Sequence, residues 1–351
     1  MLKKMLKTIP FMILILALVG CGGGKKTAKV EKLTVGLWGG FWGDAYQAAA
    51  IDKFAKETGI EVELVTNVAD SVALLATEVE KETPLYDVLW LTDGEYRIAI
   101  NSGLLAPIDY ADIKYADDIY EAGKGEFGVS SEIGAWGLAY NEDVLGFVPT
   151  SWSDLLNPDI APLVGFIEPD FNGGTMFNLA VLAVAAGGTE KDAATLGIEQ
   201  AKLLAKNGAQ IGNFGQILSQ FSNGEIGLAT LYHQEPIYLR ADGMDVNFVM
   251  PKEGAYPVTA WMTMPRNIPD NRKAVAEQFM SYILSPEAQE AIAEAIFSAP
   301  INSTVVLSPE LAAQVHPNGP EEAQSMATPD WDYTIENLES WIDLWHREVV
   351  P

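Results

Sequence analysis

Apolar and polar positions alternate along LTVGLW (33–38) and stop at Gly39-Gly40, a pattern that predicts a strand running into a glycine turn. Residues 44–58 then place Ala45, Ala48, Ala49, Ile51 and Phe54 on one helical face, ended by Gly59. IEVELV (60–65) alternates again, residues 71–81 return to a helical period, and YDVLWL (86–91) is an apolar run of buried-strand length. This β-α-β-α-β order predicts an open α/β sheet with its ligand site at the carboxyl ends of the strands.

The middle of the chain repeats the pattern. GAWGLAY (134–140), LVGFIE (163–168), IGLATLY (226–232) and VNFVM (246–250) read as strands. Between them SWSDLL (151–156) opens a short helix capped by Thr150 or Ser151, a small apolar helix reaches Ala186, and another spans about residues 192–207. Residues 273–295 are helical with a break at Ser285-Pro286, where proline suits a helix start. The last segment, 331–349, sets Trp331, Ile335, Leu338, Ile342 and Trp345 on one stripe, which predicts core packing rather than a binding box.

The amino-terminal segment follows a different rule. Lys3, Lys4 and Lys7 precede the apolar run 11–20, which is too short to span a bilayer and reads as a secretory leader, residues 1–20. Leu-Val-Gly-Cys follows, ending on the chain's single cysteine, Cys21. It resembles a bacterial lipobox and predicts lipidation of Cys21, hence a membrane anchor. Residues 21–32 then read as a flexible tether. The formal charge of −26 argues against nucleic-acid binding, which needs a basic face, and gives a weak preference for cationic solutes.

A search for catalysis finds little. His233, His316 and His346 have no metal-ligand spacing, no nucleophile elbow or phosphate loop occurs, and the lone cysteine is assigned. We therefore expect no enzyme activity, metal or cofactor. What does gather at strand ends is aromatic and acidic: Trp38, Trp42 and Asp44 after the first strand; Asp93, Glu95 and Tyr96 after the third; Tyr232, His233 and Glu235 farther on. Replacing Glu95 or Tyr96 by Ala is expected to weaken binding and spare stability. Residues 172–175, Asn-Gly-Gly-Thr, offer either a helix-start anion cradle or a plain glycine turn capped by Thr175.

Over most of the chain these pieces resemble the type II periplasmic binding proteins, above all the spermidine/putrescine-binding branch. The resemblance rests on FAKETGIEVELV (54–65), YDVLWLTDGEY (86–96), GLLAPIDY (103–110), LAYNEDV (138–144), PTSWSDLLNP (149–158), FSNGEIGLA (221–229), MPKEG (250–254) and SPEAQEAIAEAIFSAPINST (285–304). It implies an α/β fold of two lobes, two open mixed-sheet domains joined by hinge strands, with 33–130 and 256–300 as lobe 1, 131–255 as lobe 2, and C-terminal helices from 301–351 packing across them. It also implies a monomer that closes on a small cationic, polyamine-like solute and docks on an ABC permease outside the cytoplasm.

By the same resemblance Tyr96, Asp170 and Tyr232 stand at ligand positions, and Trp261 joins them. Val258 and Ala260 stand where polyamine binders carry an aromatic residue and an aspartate. Asp93, Glu95 or Glu235 would have to supply the missing charge. Zwitterionic amines, thiamine and aminophosphonates remain alternatives, ferric iron less so because no Tyr-Tyr pair occurs. A sensory subunit, or a carbohydrate binder or enzyme using Trp38 and Trp42, is the competing class.

Overall fold

A computed structural model describes residues 30–66, 71–171 and 173–350. The segment expected to be a leader, Cys21, and most of the expected tether lie outside the described residues. Among those described, no helix is long and apolar enough to cross a membrane.

The chain opens with β1 (Lys32–Gly36) and α1 (Gly40–Tyr46), which continues through a π-helical turn (Gln47–Ile51) into α2 (Asp52–Thr58). The helix therefore begins four residues before Asp44. Gly40, at φ +72°, makes the turn that an L side chain would strain, so Asp44 is an exposed residue of α1 and not its cap. Gly59 stops α2 in the left-handed region, as the sequence predicts. β2 (Glu61–Val65), α3 (Ser71–Glu78), β3 (Val88–Leu91) and α4 (Asp93–Asn101) complete the first βαβαβ unit. β1 pairs in parallel with both β2 and β3.

After β4 (Lys124–Gly125) comes β5 (Gly128–Tyr140), thirteen residues long and buried except at its last position. The alternation predicted only its second half. Then follow α5 (Glu142–Leu145), β6 (Val164–Ile167), α6 (Asn178–Ala185), α7 (Ile198–Lys206), β7 (Gln210–Gly212), α8 (Phe214–Ser222), β8 (Leu228–Tyr232), α9 (Glu235–Ala241) and β9 (Asn247–Val249). The short helix after Thr150 is a 3-10 turn, capped by Ser151 in a box with Asp154. The chain returns through β10 (Tyr256–Thr263), α10 (Asp270–Ile283) and α11 (Pro286–Ile296), the last capped by Ser285. It ends in α12 (Pro309–Ala312), α13 (Gly319–Ser325) and α14 (Trp331–Glu348).

The strands run in the order β2-β1-β3-β10-β5-β8-β6-β7, with β4 and β9 also on β5. β5 and β10 are the antiparallel pair at the centre, and each belongs to both halves. Trp261–Thr263 of β10 bond to β3, whereas Trp136–Tyr140 of β5 bond to β8. The β5–β10 register shifts between Thr259 and Trp261, so a bulge falls where one half gives way to the other.

One large core gathers β1, α2, β3, α10 and α11; another gathers β6, α6, α7 and β8. The carboxyl-terminal segment serves both. Leu311, Val315 and Met326 join the first core, and Leu338, Trp341 and Trp345 of α14 join the second. The predicted stripe on α14 is thus core packing, with Leu338 and Trp345 wholly buried.

Asp87 pins the first core to α10. Its carboxylate accepts the Thr34 backbone N–H at 2.7 Å and pairs with Arg272, while its own side chain is 1% exposed. Asp87→Ala leaves that N–H unpaired and the guanidinium with only the Pro84 and Leu85 carbonyls and no counter-ion among the described residues, and we expect a loss of about 3 kcal/mol in urea unfolding.

Candidate functional site

The lobes meet at a cavity of about 360 Å³. Lobe 1 contributes Trp38, Phe41, Trp42 and Thr92; the hinge strands contribute Glu132, Gly134, Val258, Thr259 and Ala260; and the far lobe contributes Gly173, Tyr232, Gln234, Glu235 and Tyr238. A larger depression of about 780 Å³ lies on the first lobe, lined by side chains of both charges such as Lys53, Glu57, Lys114 and Glu277. It is a groove between α2 and α10, and none of its lining residues comes from the second core. The inter-lobe cavity is where elements from both halves converge.

Trp42 and Tyr46 are four residues apart on α1 and share a face. Their rings stack at 4.7 Å, Trp38 meets Trp42 edge-on at 5.1 Å, and Tyr46 meets Trp90 at 5.7 Å. An aromatic column thus runs from the cavity wall into the first core. Opposite it, Tyr232 stands edge-on to Trp136 at 4.8 Å. The glycine pair explains how Tyr232 is seated. A Cβ on Gly173 would lie 2.2 Å from its hydroxyl, and one on Gly174 would lie 2.1 Å from the Trp136 ring. The Gly174 N–H donates to Tyr232 Oη at 3.2 Å. That group is spent on the aromatic wall, which removes it from an anion cradle at 172–175; Asn172 lies outside the described residues.

Glu235 opens α9 on the cavity wall, and burial pushes its carboxyl up to about 7. Glu132 comes from β5. It accepts a hydrogen bond from Tyr46 Oη at 3.1 Å, and burial pushes it up to about 8 against the smaller opposing pull of Ser298 and Tyr46. Tyr238 lies in the field of both carboxyls, which with burial hold its hydroxyl neutral.

Of the residues read from the sequence, Trp38, Trp42, Tyr232 and Glu235 line this cavity. So do Val258 and Ala260, the positions singled out for what they lack. Others are placed elsewhere. Asp93 is 2% exposed and accepts from the Thr259 N–H, Thr259 Oγ1 and Trp261 Nε1; it ties α4 to β10, and burial raises its carboxyl to about 6. Glu95 turns back to the Thr92 N–H at 2.9 Å in a capping box, so it serves the helix start while Thr92 faces the cavity. Tyr96 and Trp261 stack at 4.2 Å inside a small core, 1% and 3% exposed. Asp44 points to solvent. Asp170 bonds Thr175, which is 2% exposed, and the pair stands beside Tyr232 outside the cavity lining.

The sequence reading missed Phe41, Glu132 and Tyr238. Phe41 is 56% exposed and meets Tyr238 across the mouth at 5.4 Å. A signal for Glu132 was present, a lone acid inside an otherwise uncharged strand, GVSSEIGAWGLAY. His233, flagged for its position, is wholly buried: it accepts the Ala135 N–H at Nδ1, Nε2 faces the Phe297 carbonyl at 2.8 Å, and burial drives it down to about 3.

Fold and cavity together define a two-lobed α/β protein with a cavity of small-molecule size between its halves. The chain belongs to the family of bacterial extracellular solute-binding proteins, whose pattern matches residues 49–318. A Haemophilus influenzae protein named spermidine/putrescine-binding periplasmic protein 1 is 22% identical over 265 residues, 73% of this chain and 72% of its own. A gamma-aminobutyric acid-binding protein of Pseudomonas aeruginosa is 23% identical over 331 residues, 91% of this chain and 92% of its own. Among solved structures, that of an ABC transporter from Clostridium perfringens superposes with a TM-score of 0.78 at 22% identity, over 90% of this chain and 99% of its own.

Two outcomes follow from this placement. Tyr96→Ala empties a packed site, and we expect a loss of about 3–5 kcal/mol of stability on chemical denaturation, contrary to a surface-ligand role. The buried carboxyls also set a pH dependence. Glu132 moves from 4.5 to about 8 on folding and Glu235 from 4.5 to about 7, so the folded state holds more protons in that window. The melting temperature of the empty protein should therefore fall as pH rises from about 4.5 to about 8, and Glu132→Gln should flatten the upper part of that slope.

Proposed function

We propose that the protein captures a small organic cation of the polyamine type between its lobes and delivers it to an ABC permease outside the cytoplasm. The observation that carries this reading is the lining of the cleft. Five aromatic side chains, Trp38, Phe41, Trp42, Tyr232 and Tyr238, surround two carboxyls, Glu132 and Glu235, and no Lys, Arg or His is among the described lining residues. A cation over such rings gains about 0.5–2 kcal/mol from each well-placed face, and a carboxylate completes the match. The cavity has the volume of a small-molecule site.

Glu132 and Glu235 take the place of the acid absent at Ala260. Phe41 and Tyr238 touch across the mouth, so ligand held by both walls favours the closed arrangement over the open one. Acylation of Cys21 would keep the receptor beside its permease, and we assign the working unit as a monomer. Lobe 1 comprises 33–130 and 256–300, lobe 2 comprises 131–255, and the C-terminal segment braces both. A zwitterionic amine is the second reading, favoured by the gamma-aminobutyric acid-binding relative that aligns with 91% of the chain.

Both cores are built within residues 30–350, so the chain from residue 22 onward suits a thermal-shift screen. Putrescine or spermidine should raise the melting temperature by several degrees, and Trp42→Ala should abolish the rise. A rise with sugars or simple anions, and none with amines, would sink the cation reading.

A further inference from the structure

Glu132 does not come from a ligand loop of either lobe. It sits on β5, the strand common to both cores, next to Ile133, which pairs with Thr259. The β5–β10 bulge lies beside it, between Thr259 and Trp261, and holds Ala260. On that stretch of the cleft wall β10 offers only the small side chains of Val258, Thr259 and Ala260. The neighbouring strand supplies the acid. Glu132 is 8% exposed, lines the cavity, and has no ion-pair partner among the described residues.

Its position is enforced from below. Tyr46 donates to Glu132, Tyr46 Oη lies 2.8 Å from Ser131 Oγ, and Trp90 Nε1 donates to Ser131 Oγ at 2.9 Å. Gln289 Nε2 fixes the Ser131 carbonyl at 2.7 Å. A buried carboxylate held only by neutral donors and lacking a counter-ion is costly, so without a ligand the group is favoured in its protonated form. A cation entering the cavity relieves that cost; a neutral or anionic solute does not.

We propose that Glu132 is the residue by which the cleft selects an ammonium group, set in place by the hinge strand and completed only by the ligand's charge. This rests on the cation-capture reading of the cleft and adds the residue and the exchange that make it selective. In the empty cleft at neutral pH the carboxyl holds its proton, since burial raises it to about 8. One ammonium group enters, one proton leaves to solvent, and the charge of the occupied cleft equals that of the empty one.

The groups facing Glu132 leave that exchange to the acids. From α1 comes the neutral Tyr46, from the segment after α11 comes Ser298, and from α9 come Tyr238 and Glu235. Behind Gly134 stands His233, kept uncharged by burial. Tyr46 and Tyr238 are both held above the ordinary tyrosine value, so Glu132 and Glu235 are the facing groups that change charge between pH 5 and 9.

The test is isothermal titration calorimetry of putrescine, spermidine and 4-aminobutyrate into the chain from residue 22 onward. Titrations at pH 7 in phosphate and in Tris count released protons from the difference in heat. We expect the unaltered protein to release protons on binding putrescine, and Glu132→Gln to bind at least tenfold more weakly and release fewer. Glu235→Gln should retain the release that belongs to Glu132. Circular dichroism melts report whether each variant is folded. If Glu132→Gln does not fold, Glu132→Asp is read instead, with weakened affinity and retained proton release expected. Binding within twofold of the original and unchanged proton release in the folded variant would overturn the proposal while leaving the cation reading intact. Failure of the unaltered protein to bind any of the three amines would overturn both.

Discussion

The antiparallel pairing of β5 with β10 is the constraint on which the rest of the molecule depends. Both strands are buried along nearly their whole length, so each backbone N–H and C=O there must find a partner within the protein. Pairing with β3 on one side and β8 on the other spends those groups on two different lobes. The lobes are therefore joined by a ladder that resists sliding and tolerates twist, with its irregularity confined to the bulge at 259–261. Everything that faces the cleft from the hinge, Glu132 and Gly134 on one strand and Val258 to Ala260 on the other, is positioned by that register.

Much of the local architecture was legible. Alternation and helical period placed β1, β2, β3 and α2 correctly, and Gly59 and Ser285-Pro286 marked real helix boundaries, because these are decided by neighbours in sequence. β10 was not read as a strand. Pro257 and the mixed run YPVTAWMT look irregular until β5 and β3 are seen to flank it. β5 was only half read, since its first residues, GVSSE, are polar yet buried by the same nonlocal pairing.

The site was legible to a different degree. Strand-end reasoning pointed to Trp38, Trp42, Tyr232 and Glu235, which line the cavity, but could not say which residues after β3 turn toward it. Thr92 is an N-cap, and the cap geometry turns Glu95 back on the helix start while Asp93 and Tyr96 are committed to β10 and its Trp261. Thr92 itself is what the cavity sees. Glu132 escaped because a hinge strand has no loop to mark it. The acidity of the whole chain gave only a weak preference for cations, whereas the carboxyls most perturbed, Glu132 and Glu235, are those withdrawn from water.

The split path of the first lobe bears on how the chain is made. Met262 of β10 pairs with Trp90 of β3, so the first sheet cannot be completed until its last strand, synthesised long after its first, has emerged. α14, which closes the second core, comes later still. Closing such long loops is slow and leaves apolar strand edges open meanwhile. The first sheet waits for β10 and the second core for α14, so neither half is complete while the chain is still growing, and folding comes late.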